Sequence, residues 1–267
     1  MISFPNAKIN LGLNVVGKRP DGYHNLETIF YPIQLKDVLE IKKSAEFDFQ
    51  CSGLKIDGDA QNNLVVKAFR LLQRDFNLSP VKIHLHKVIP FGAGLGGGSS
   101  DAAFMLKMLN ELFELNLSIQ KLEKYAASLG ADCPFFIQNK TVYAQGIGDQ
   151  FSAVDLDLNG YSVAIVKPPF SVSTAQAYGN IIPKPSSISL KILNSIPVKD
   201  WKDSVLNDFE EPVFKIYPAI AEIKESLYKS GAIYSSMSGS GSAVLGLFRH
   251  LPTNLESLFP ASYFIYR

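Results

Sequence analysis

Between Gly92 and Gly98, five of seven residues are glycine, and two hydroxyls, Ser99 and Ser100, follow directly. The stretch reads Pro90-Phe91-Gly92-Ala93-Gly94-Leu95-Gly96-Gly97-Gly98-Ser99-Ser100. Glycine lets a backbone approach an anion closely and adopt dihedrals that other residues avoid. An apolar helical pattern comes next, so free N–H groups at a helix start can donate to phosphate oxygens. The helix dipole favours the same negative charge. Ser99 and Ser100 add hydroxyls that can cap the helix, touch a phosphate or hold a metal ion.

Three readings of this run compete. A P-loop of the Walker type ends in Gly-Lys-Ser/Thr, and no lysine stands here, so that reading fails. Gly92, Gly94 and Gly97 match G-x-G-x-x-G formally, but the run lies mid-chain without a clear βαβ frame, which argues against a dinucleotide site. A purely structural turn would spend much backbone entropy without return. Phosphate binding is the better account.

Other side chains with chemical potential are scattered. Lys8 and Asn10 share one face of a strand. Asp132 sits in Gly130-Ala131-Asp132-Cys133-Pro134, after a helix end. From spacing alone, Lys8 reads as a solvated charge and Asp132 as a turn residue. Tyr23 and His24 follow the Pro20-Asp21-Gly22 turn. His84 and His86 share a strand face and read as ordinary polar-face residues; with His250 isolated, no zinc site is supported. Cys51 and Cys133 follow no metal-ligand pattern and read as reduced thiols.

The elements that must position these groups are legible in outline. Ala7, Ile9, Leu11, Leu13 and Val15 alternate with Lys8, Asn10, Gly12 and Asn14, as in a strand. Strand-like runs follow at Leu26–Leu35 and Val38–Lys42. Asn62 or Asn63 caps a helix carrying Leu64, Ala68, Leu71 and Leu72. Val81–Val88 alternates, with Val81, Ile83 and Leu85 on one face. A helix over Ala102–Phe113 presents Ala102, Met105, Leu106 and Leu109. Another runs from Ser118 to Leu129 and ends at Gly130. Thr141–Ala153 reads as strand and turn, with a domain boundary nearby. Ser162–Val166 is a strand, and Pro183–Pro197 an irregular connection. One helix is expected from Phe209 to Lys229, with Pro212 in its first turn. Ser235–Ser242 is a second glycine-serine loop, feeding a strand at Ala243–Phe248.

The chain has 267 residues, 46% of them hydrophobic and 19% charged, with a formal net charge of +1. That suits one large domain or two modest ones. No lysine-arginine run gives a nucleic acid footprint. No apolar stretch reaches bilayer length, and the start lacks the pattern of a secretory signal. A cytoplasmic protein is expected.

The motif Pro-x-x-x-Gly-Leu-Gly-x-x-Ser-Ser-x-Ala-Ala, from Pro90 to Ala103, resembles the phosphate loop of the galactokinase, homoserine kinase, mevalonate kinase and phosphomevalonate kinase (GHMP) superfamily. Further motifs follow its order over nearly the whole chain. They are Pro5-Asn6-Ala7-Lys8-Ile9-Asn10-Leu11, Gly17-x-Arg19-x-Asp21-Gly22-Tyr23-His24, Gly130-Ala131-Asp132-x-Pro134-Phe135-Phe136 and Met237-Ser238-Gly239-Ser240-Gly241. Together they resemble the branch that phosphorylates the 2-hydroxyl of a cytidine diphosphate-linked methylerythritol in the non-mevalonate isoprenoid route.

The resemblance implies an α+β fold of two lobes with the active cleft between them. Residues 1–153 would form an N-terminal ATP-binding domain and 154–267 a C-terminal substrate-binding domain. It implies Asp132 as general base with Lys8 as its partner. A nearby ammonium favours an ionised carboxylate and can stabilise charge on the transferred group. ATP would be held by Asn63, by Pro90, Phe91, Gly92, Ala93, Gly94, Leu95, Gly96, Gly97, Gly98, Ser99 and Ser100, and by Ser240. The substrate would be held by Asn10, Tyr23, His24, Thr174 and Tyr178. Tyr23 and Tyr178 would stack on the cytosine, with Phe170 as the alternative to Tyr178. Mg2+ is expected with ATP, and Ser100 is a candidate metal ligand without a clear acidic counterpart. Small molecules are the expected partners, with no nucleic acid or membrane, and the protein is expected to be a monomer or weak dimer.

Two other classes remain open at this point. One is a kinase of the same superfamily acting on another small alcohol, such as mevalonate or homoserine. The other is a catalytically idle nucleotide-binding protein. An oxidoreductase with a dinucleotide fold is a distant third.

Overall fold

The computed structural model describes residues 1–55, 59–179, 181–186 and 188–267, and they form two units, each assembled from separate stretches of chain. The first comprises Met1–Lys8, Pro32–Phe91 and Gly96–Lys140; the second comprises Ile9–Tyr31, Gly92–Leu95 and Thr141–Arg267. This differs from the single boundary expected after residue 153. The cause is two 13-residue strands, β2 (Asn6–Lys18) and β3 (His24–Lys36), each of which begins in one unit and ends in the other.

The first unit is built on a sheet of order β1 (Ile2–Ser3), β4 (Val38–Lys43), β6 (Val81–Lys87) and β5 (Asp48–Gly53). β4 runs antiparallel to β6, whereas β5 runs parallel to it. A parallel pair needs a crossover, and α1 (Leu64–Phe76) supplies it. Asn63 caps α1: its Oδ1 accepts the Val65 N–H at 2.9 Å. Along β6, Val81, Ile83, Leu85 and Lys87 are buried while Lys82, His84 and His86 are exposed. The period of two thus carries a lysine, Lys87, to the core side of the strand end.

α2 (Gly97–Leu112) packs against α1 and β4. It starts at Gly97 rather than at Ala102, because the Ser100 N–H already bonds to Gly96 O at 2.9 Å. None of the strands in this sheet follows α2 in the chain. The frame a dinucleotide fold requires is therefore absent from it. α3 (Ile119–Ala127) is capped by Ser118, and α4 (Phe135–Gln138) closes the unit.

The second unit contains an antiparallel sheet of order β10 (Tyr234–Met237), β11 (Val244–Phe248), β9 (Ser162–Lys167) and β12 (Phe264–Tyr266). Val166, Val244 and Phe248 from this sheet share a core with Val213, Ile220, Ile223 and Leu227. These last four lie on α6 (Glu210–Ile216) and α7 (Pro218–Lys229), not on one helix. Pro218 has no N–H to continue the helical ladder and disfavours helical dihedrals at the residue before it. Tyr217 accordingly sits at φ −127°, ψ 74°. Residues 235–237 also differ from expectation: they are strand, and the glycine-serine loop begins at Ser238.

A third sheet has the order β2, β3, β7 (Val142–Gln145) and β8 (Gln150–Ala153), with the expected turn between its last two strands. A short helix, α5 (Thr174–Tyr178), carries two of the candidate substrate residues. Among the described residues, no helix is long and apolar enough to cross a membrane.

Candidate active site

In the first unit, Gly96 immediately precedes α2 at φ +69°, a left-handed conformation natural to glycine. It has no side chain with which to cap the helix, and no acidic residue stands in the first turn of α2. A helix start without a side-chain cap leaves its first N–H groups free to bind an anion. A Cβ on Gly96 would lie 2.9 Å from the Phe136 ring and 3.2 Å from Lys8 Cγ. The lysine stem therefore runs directly beside the end of the glycine turn.

Lys8 and Asp132 meet in this unit. Lys8 Nζ lies 3.6 Å from Asp132 Oδ2, with the lysine side chain 4% exposed and the aspartate 36%. Burial lowers the Lys8 pKa, and the Asp132 carboxylate opposes that shift. Lys8 is inward because both faces of β2 are covered over its first residues. Asp132 is placed by the turn leading into α4, where the buried Cys133 is anchored. Burial pushes the Cys133 thiol up to about 11, opposed by a hydrogen bond with Ser99. That bond also ties the Asp132 turn to the start of α2.

A cavity of about 430 Å³ lies in the same unit, lined by Phe49, Cys51, Asn63, Leu64, Phe91, Gly98 and Asp101, among others. Two phenyl rings and a leucine give it apolar walls, and Asn63 gives it an amide. Asp101 pairs with Lys87 at 2.7 Å, and Lys87 also pairs with Asp37. Burial pushes the Asp101 carboxyl up to about 7; Lys87 opposes this and the Asp37 charge adds to it. Burial alone would lower the Lys87 pKa, but the carboxylates of Asp101 and Asp37 outweigh it and raise it.

Residues 92–95, Asn10, Tyr23, His24, Thr174, Tyr178 and Ser240 belong to the second unit. Ser238 Oγ accepts the Asn10 N–H at 3.2 Å and donates to Gly94 O at 3.0 Å. Ser242 N–H and Ala243 N–H donate to Gly92 O and Ala93 O, each at 3.2 Å. The glycine-serine loop is thus strapped to residues 92–94. No side chain would fit at Gly94, where a Cβ would lie 1.7 Å from Ser238 O. Ala93 and Leu95 are buried core side chains, so only their backbone is available to a ligand. Thr174 Oγ1 lies 3.4 Å from Ser240 Oγ. Asn10 is held by Thr28, its Nδ2 donating to Thr28 Oγ1 at 3.0 Å.

Tyr23 is 61% exposed. Tyr178 stacks on His24 with ring centroids 4.9 Å apart and meets Phe209 edge-on at 4.8 Å. Phe170 stacks on Tyr217 at 5.2 Å. Ser100 is wholly buried, and its hydroxyl has no hydrogen-bond partner among the described residues. One hydroxyl does not make a resident magnesium site, since that ion takes carboxylate and phosphate oxygens. Among the described residues, no three His, Cys, Asp or Glu side chains converge as ligands. Magnesium therefore enters as part of the nucleotide substrate.

Several supporting residues escape a reading by motif. Asn207 Nδ2 donates to Met237 O at 3.0 Å and Gly239 O at 2.9 Å, fixing the glycine-serine loop. Glu210 Oε1 accepts the Met237 N–H at 2.9 Å. Lys167 Nζ donates to the carbonyls of Pro168 and Phe170, each at 3.0 Å, and its pKa is lowered by burial. Asp37, Lys87 and Asp101 form the buried triad. Only Lys87 carried a sequence signal, the alternation that puts it in line with Val81, Ile83 and Leu85.

Comparison with known proteins identifies the family. Residues 63–140 match the model of the GHMP kinases N terminal domain, and residues 198–256 that of the GHMP kinases C terminal domain. The chain is 55% identical to 4-diphosphocytidyl-2-C-methyl-D-erythritol kinase of Bacteroides thetaiotaomicron, covering 100% of this chain and 99% of that protein. It is 59% identical to the enzyme of the same name from Bacteroides fragilis, covering 93% and 92%. A crystal structure of 4-(cytidine 5'-diphospho)-2C-methyl-D-erythritol kinase superposes with a TM-score of 0.80 at 32% identity, covering 92% of this chain and 90% of that one. A mevalonate kinase structure shares the fold at a TM-score of 0.69 and 17% identity, covering 100% and 98%. The chain is a small-molecule kinase of the GHMP family, and within that family it belongs to the 4-diphosphocytidyl-2-C-methyl-D-erythritol kinases.

Proposed function

We propose that the chain transfers the γ-phosphoryl group of MgATP to the 2-hydroxyl of 4-diphosphocytidyl-2-C-methyl-D-erythritol. The observation that carries this reading is the Lys8–Asp132 pair, 3.6 Å apart, with the Lys8 stem beside Gly96. Phosphoryl transfer asks the protein mainly for positioning and charge stabilisation. The uncapped start of α2 receives phosphate oxygens. The 2-hydroxyl faces Asp132, which orients it and accepts its proton as the new O–P bond forms. The bond from the γ-phosphorus to the bridging oxygen breaks, and ADP leaves with that electron pair. Lys8 stabilises negative charge on the group in transit.

The cavity lined by Phe49, Leu64, Phe91 and Asn63 has the apolar walls and amide that suit a purine ring. Tyr23, His24 and Tyr178 take the cytosine, with Asn10 and Thr174 on the methylerythritol phosphate. The 61% exposure of Tyr23 leaves its ring free to stack. A cytoplasmic protein, monomeric or weakly dimeric, belongs to the same reading.

The test is a coupled ADP-release assay with the cytidyl alcohol, mevalonate and homoserine offered in turn. Turnover is expected with the cytidyl alcohol, little with the others, none with Asp132→Ala, and a raised KM with Tyr23→Ala. Equal turnover of mevalonate or homoserine would sink the substrate assignment. ATP binding without product from any alcohol would sink the activity.

A further inference from the structure

A turn rich in glycine has to aim its amides although its backbone is free to move, so its ends must be held by something else. In the first unit one carboxylate reaches the residues on both flanks of that turn. Asp37 is 0% exposed. Its Oδ1 accepts the backbone N–H of Val88 at 2.6 Å and of Ile89 at 2.8 Å, the two residues leading into Pro90. Its Oδ2 accepts from Lys87 Nζ. The same ammonium donates to Asp101 Oδ2 at 2.7 Å, on α2 beyond the glycines. A Cβ on Gly97 would come within 3.3 Å of Lys87 Nζ, so the ammonium sits against the first residue of that helix. Asp37 therefore grips the strand end before the glycines directly, and the helix start after them through Lys87 and Asp101.

Energetics give this arrangement a purpose other than stability. Three buried ionisable groups are costly to desolvate, and apolar residues of like volume are often as stable or more so. Charge attraction does not account for the triad either. Two carboxylates and one ammonium sum to −1 when ionised, which repels a phosphate. What the triad supplies is geometry: two chain segments held at fixed distance by directional bonds.

We propose that Asp37, acting through Lys87 and Asp101, is a positioning residue that fixes the start of α2 for a nucleoside di- or triphosphate. The inference rests on the proposed kinase reading. Asp37→Asn keeps an oxygen to accept the Val88 and Ile89 N–H groups but gives up the charge that holds Lys87. Asp101→Asn loosens the other end of the chain of contacts.

The experiment measures steady-state kinetics for both substrates and ADP affinity by calorimetry, with thermal melting of every variant. For Asp37→Asn, KM for MgATP is expected to rise about tenfold while kcat changes less than about threefold. KM for the cytidyl alcohol stays put, and melting remains cooperative. ADP affinity is expected to weaken about tenfold in both variants. ADP binding needs no acceptor, so a failure of the substrate assignment leaves this readout intact. Unaltered ADP affinity in folded variants overturns the proposal. Equal rises in both KM values, or loss of cooperative melting in both variants, overturn it too, because the triad would then serve the core in general.

Discussion

Lys8 Nζ lies 3.6 Å from Asp132 Oδ2, and the lysine is the buried member of the pair. Their positions are 124 residues apart in number (132 − 8), yet both belong to the first unit. The asymmetry of exposure suits a division of labour. A buried ammonium is fixed in place, and a carboxylate more than a third exposed can meet a hydroxyl arriving from solvent.

Asp132→Asn tests that division. The amide keeps the size and hydrogen-bonding capacity of the carboxylate but has no basicity. General-base contributions are typically about 100-fold or more. We expect kcat to fall by at least about 100-fold while the cytidyl alcohol still binds, as read by calorimetry. Near-normal turnover in a folded Asp132→Asn protein would remove Asp132 from the mechanism.

The alkaline limb of the rate profile should report Lys8. Burial lowers its pKa from the ordinary 10.5, so the folded protein sheds this proton at a lower pH than a free lysine does. In the proposed mechanism the ammonium form is the active one, so kcat is expected to decline on the alkaline side before pH 10.5. Lys8→Arg keeps a charge that does not titrate in this range. The decline should vanish in that variant even if its plateau is lower. An unchanged alkaline limb in Lys8→Arg would assign the decline to another group.

Much of the fold follows from alternation that the chain displays openly. Ala7 to Val15 and Val81 to Leu85 read as strands from the alternation of side chains, which marks the core face in Val81 to Leu85, whereas both faces of Ala7 to Leu13 are buried. The helix caps Asn63 and Ser118 are local signals and appear where expected. The strands β5 and β12 were not legible, because β5 is mostly exposed and β12 is short and half-buried, and both owe their form to the neighbour they pair with. Pro218 was legible in principle, since a proline after Tyr217 ends a helix. Asn207 and Asp37 were not. The Met237 and Gly239 carbonyls that Asn207 holds, and the Val88 and Ile89 N–H groups and Lys87 that Asp37 holds, are brought near by tertiary folding, and no spacing in the chain encodes that. Lys8 and Asp132 each looked ordinary alone, and only the order of several motifs raised them above their neighbours.

Asp101 makes the stability of the protein depend on pH in an unusual direction. Its carboxyl is raised from 3.8 to about 7, chiefly by burial. Between those values the folded state holds a proton that the unfolded state has released. Stability contributed by this group is therefore full below about pH 3.8 and is lost as pH rises towards 7. We expect the melting temperature of wild type, relative to Asp101→Asn, to fall from pH 5 to pH 7.5. A constant difference across that range would show that Asp101 is not the titrating group.

Cys51 offers a chemical report on the cavity. It is exposed and lines the cavity, whereas Cys133 is buried. N-ethylmaleimide at pH 8.5 is expected to add once, at Cys51, as read by peptide mass spectrometry. Burial raises the Cys51 pKa, so the reaction should be slow. If the cavity takes the purine, ADP should retard the addition and the adduct should block ADP binding. Labelling at the same rate with and without saturating ADP would move the purine elsewhere.

Gly96→Ala probes the turn where it meets the Lys8–Asp132 pair. Alanine there faces two costs. The left-handed backbone at φ +69° disfavours a Cβ by roughly 1–2 kcal/mol. The Cβ would also lie 2.9 Å from the Phe136 ring and 3.2 Å from Lys8 Cγ. The Phe136 ring is 0% exposed and rigid, whereas the lysine stem has rotatable bonds, so the stem is the part that yields. Displacing it shifts the ammonium relative to Asp132, and a misplacement of about 1 Å can cost about 100-fold in rate. The variant should therefore melt a few degrees lower and lose kcat far beyond what that loss of stability explains at 25 °C. Gly231→Ala is the control, because the backbone there also has a positive φ, +100°, while a Cβ would meet no described atom within 4 Å. A Gly96→Ala enzyme with the kcat of Gly231→Ala would separate the lysine from the chemistry.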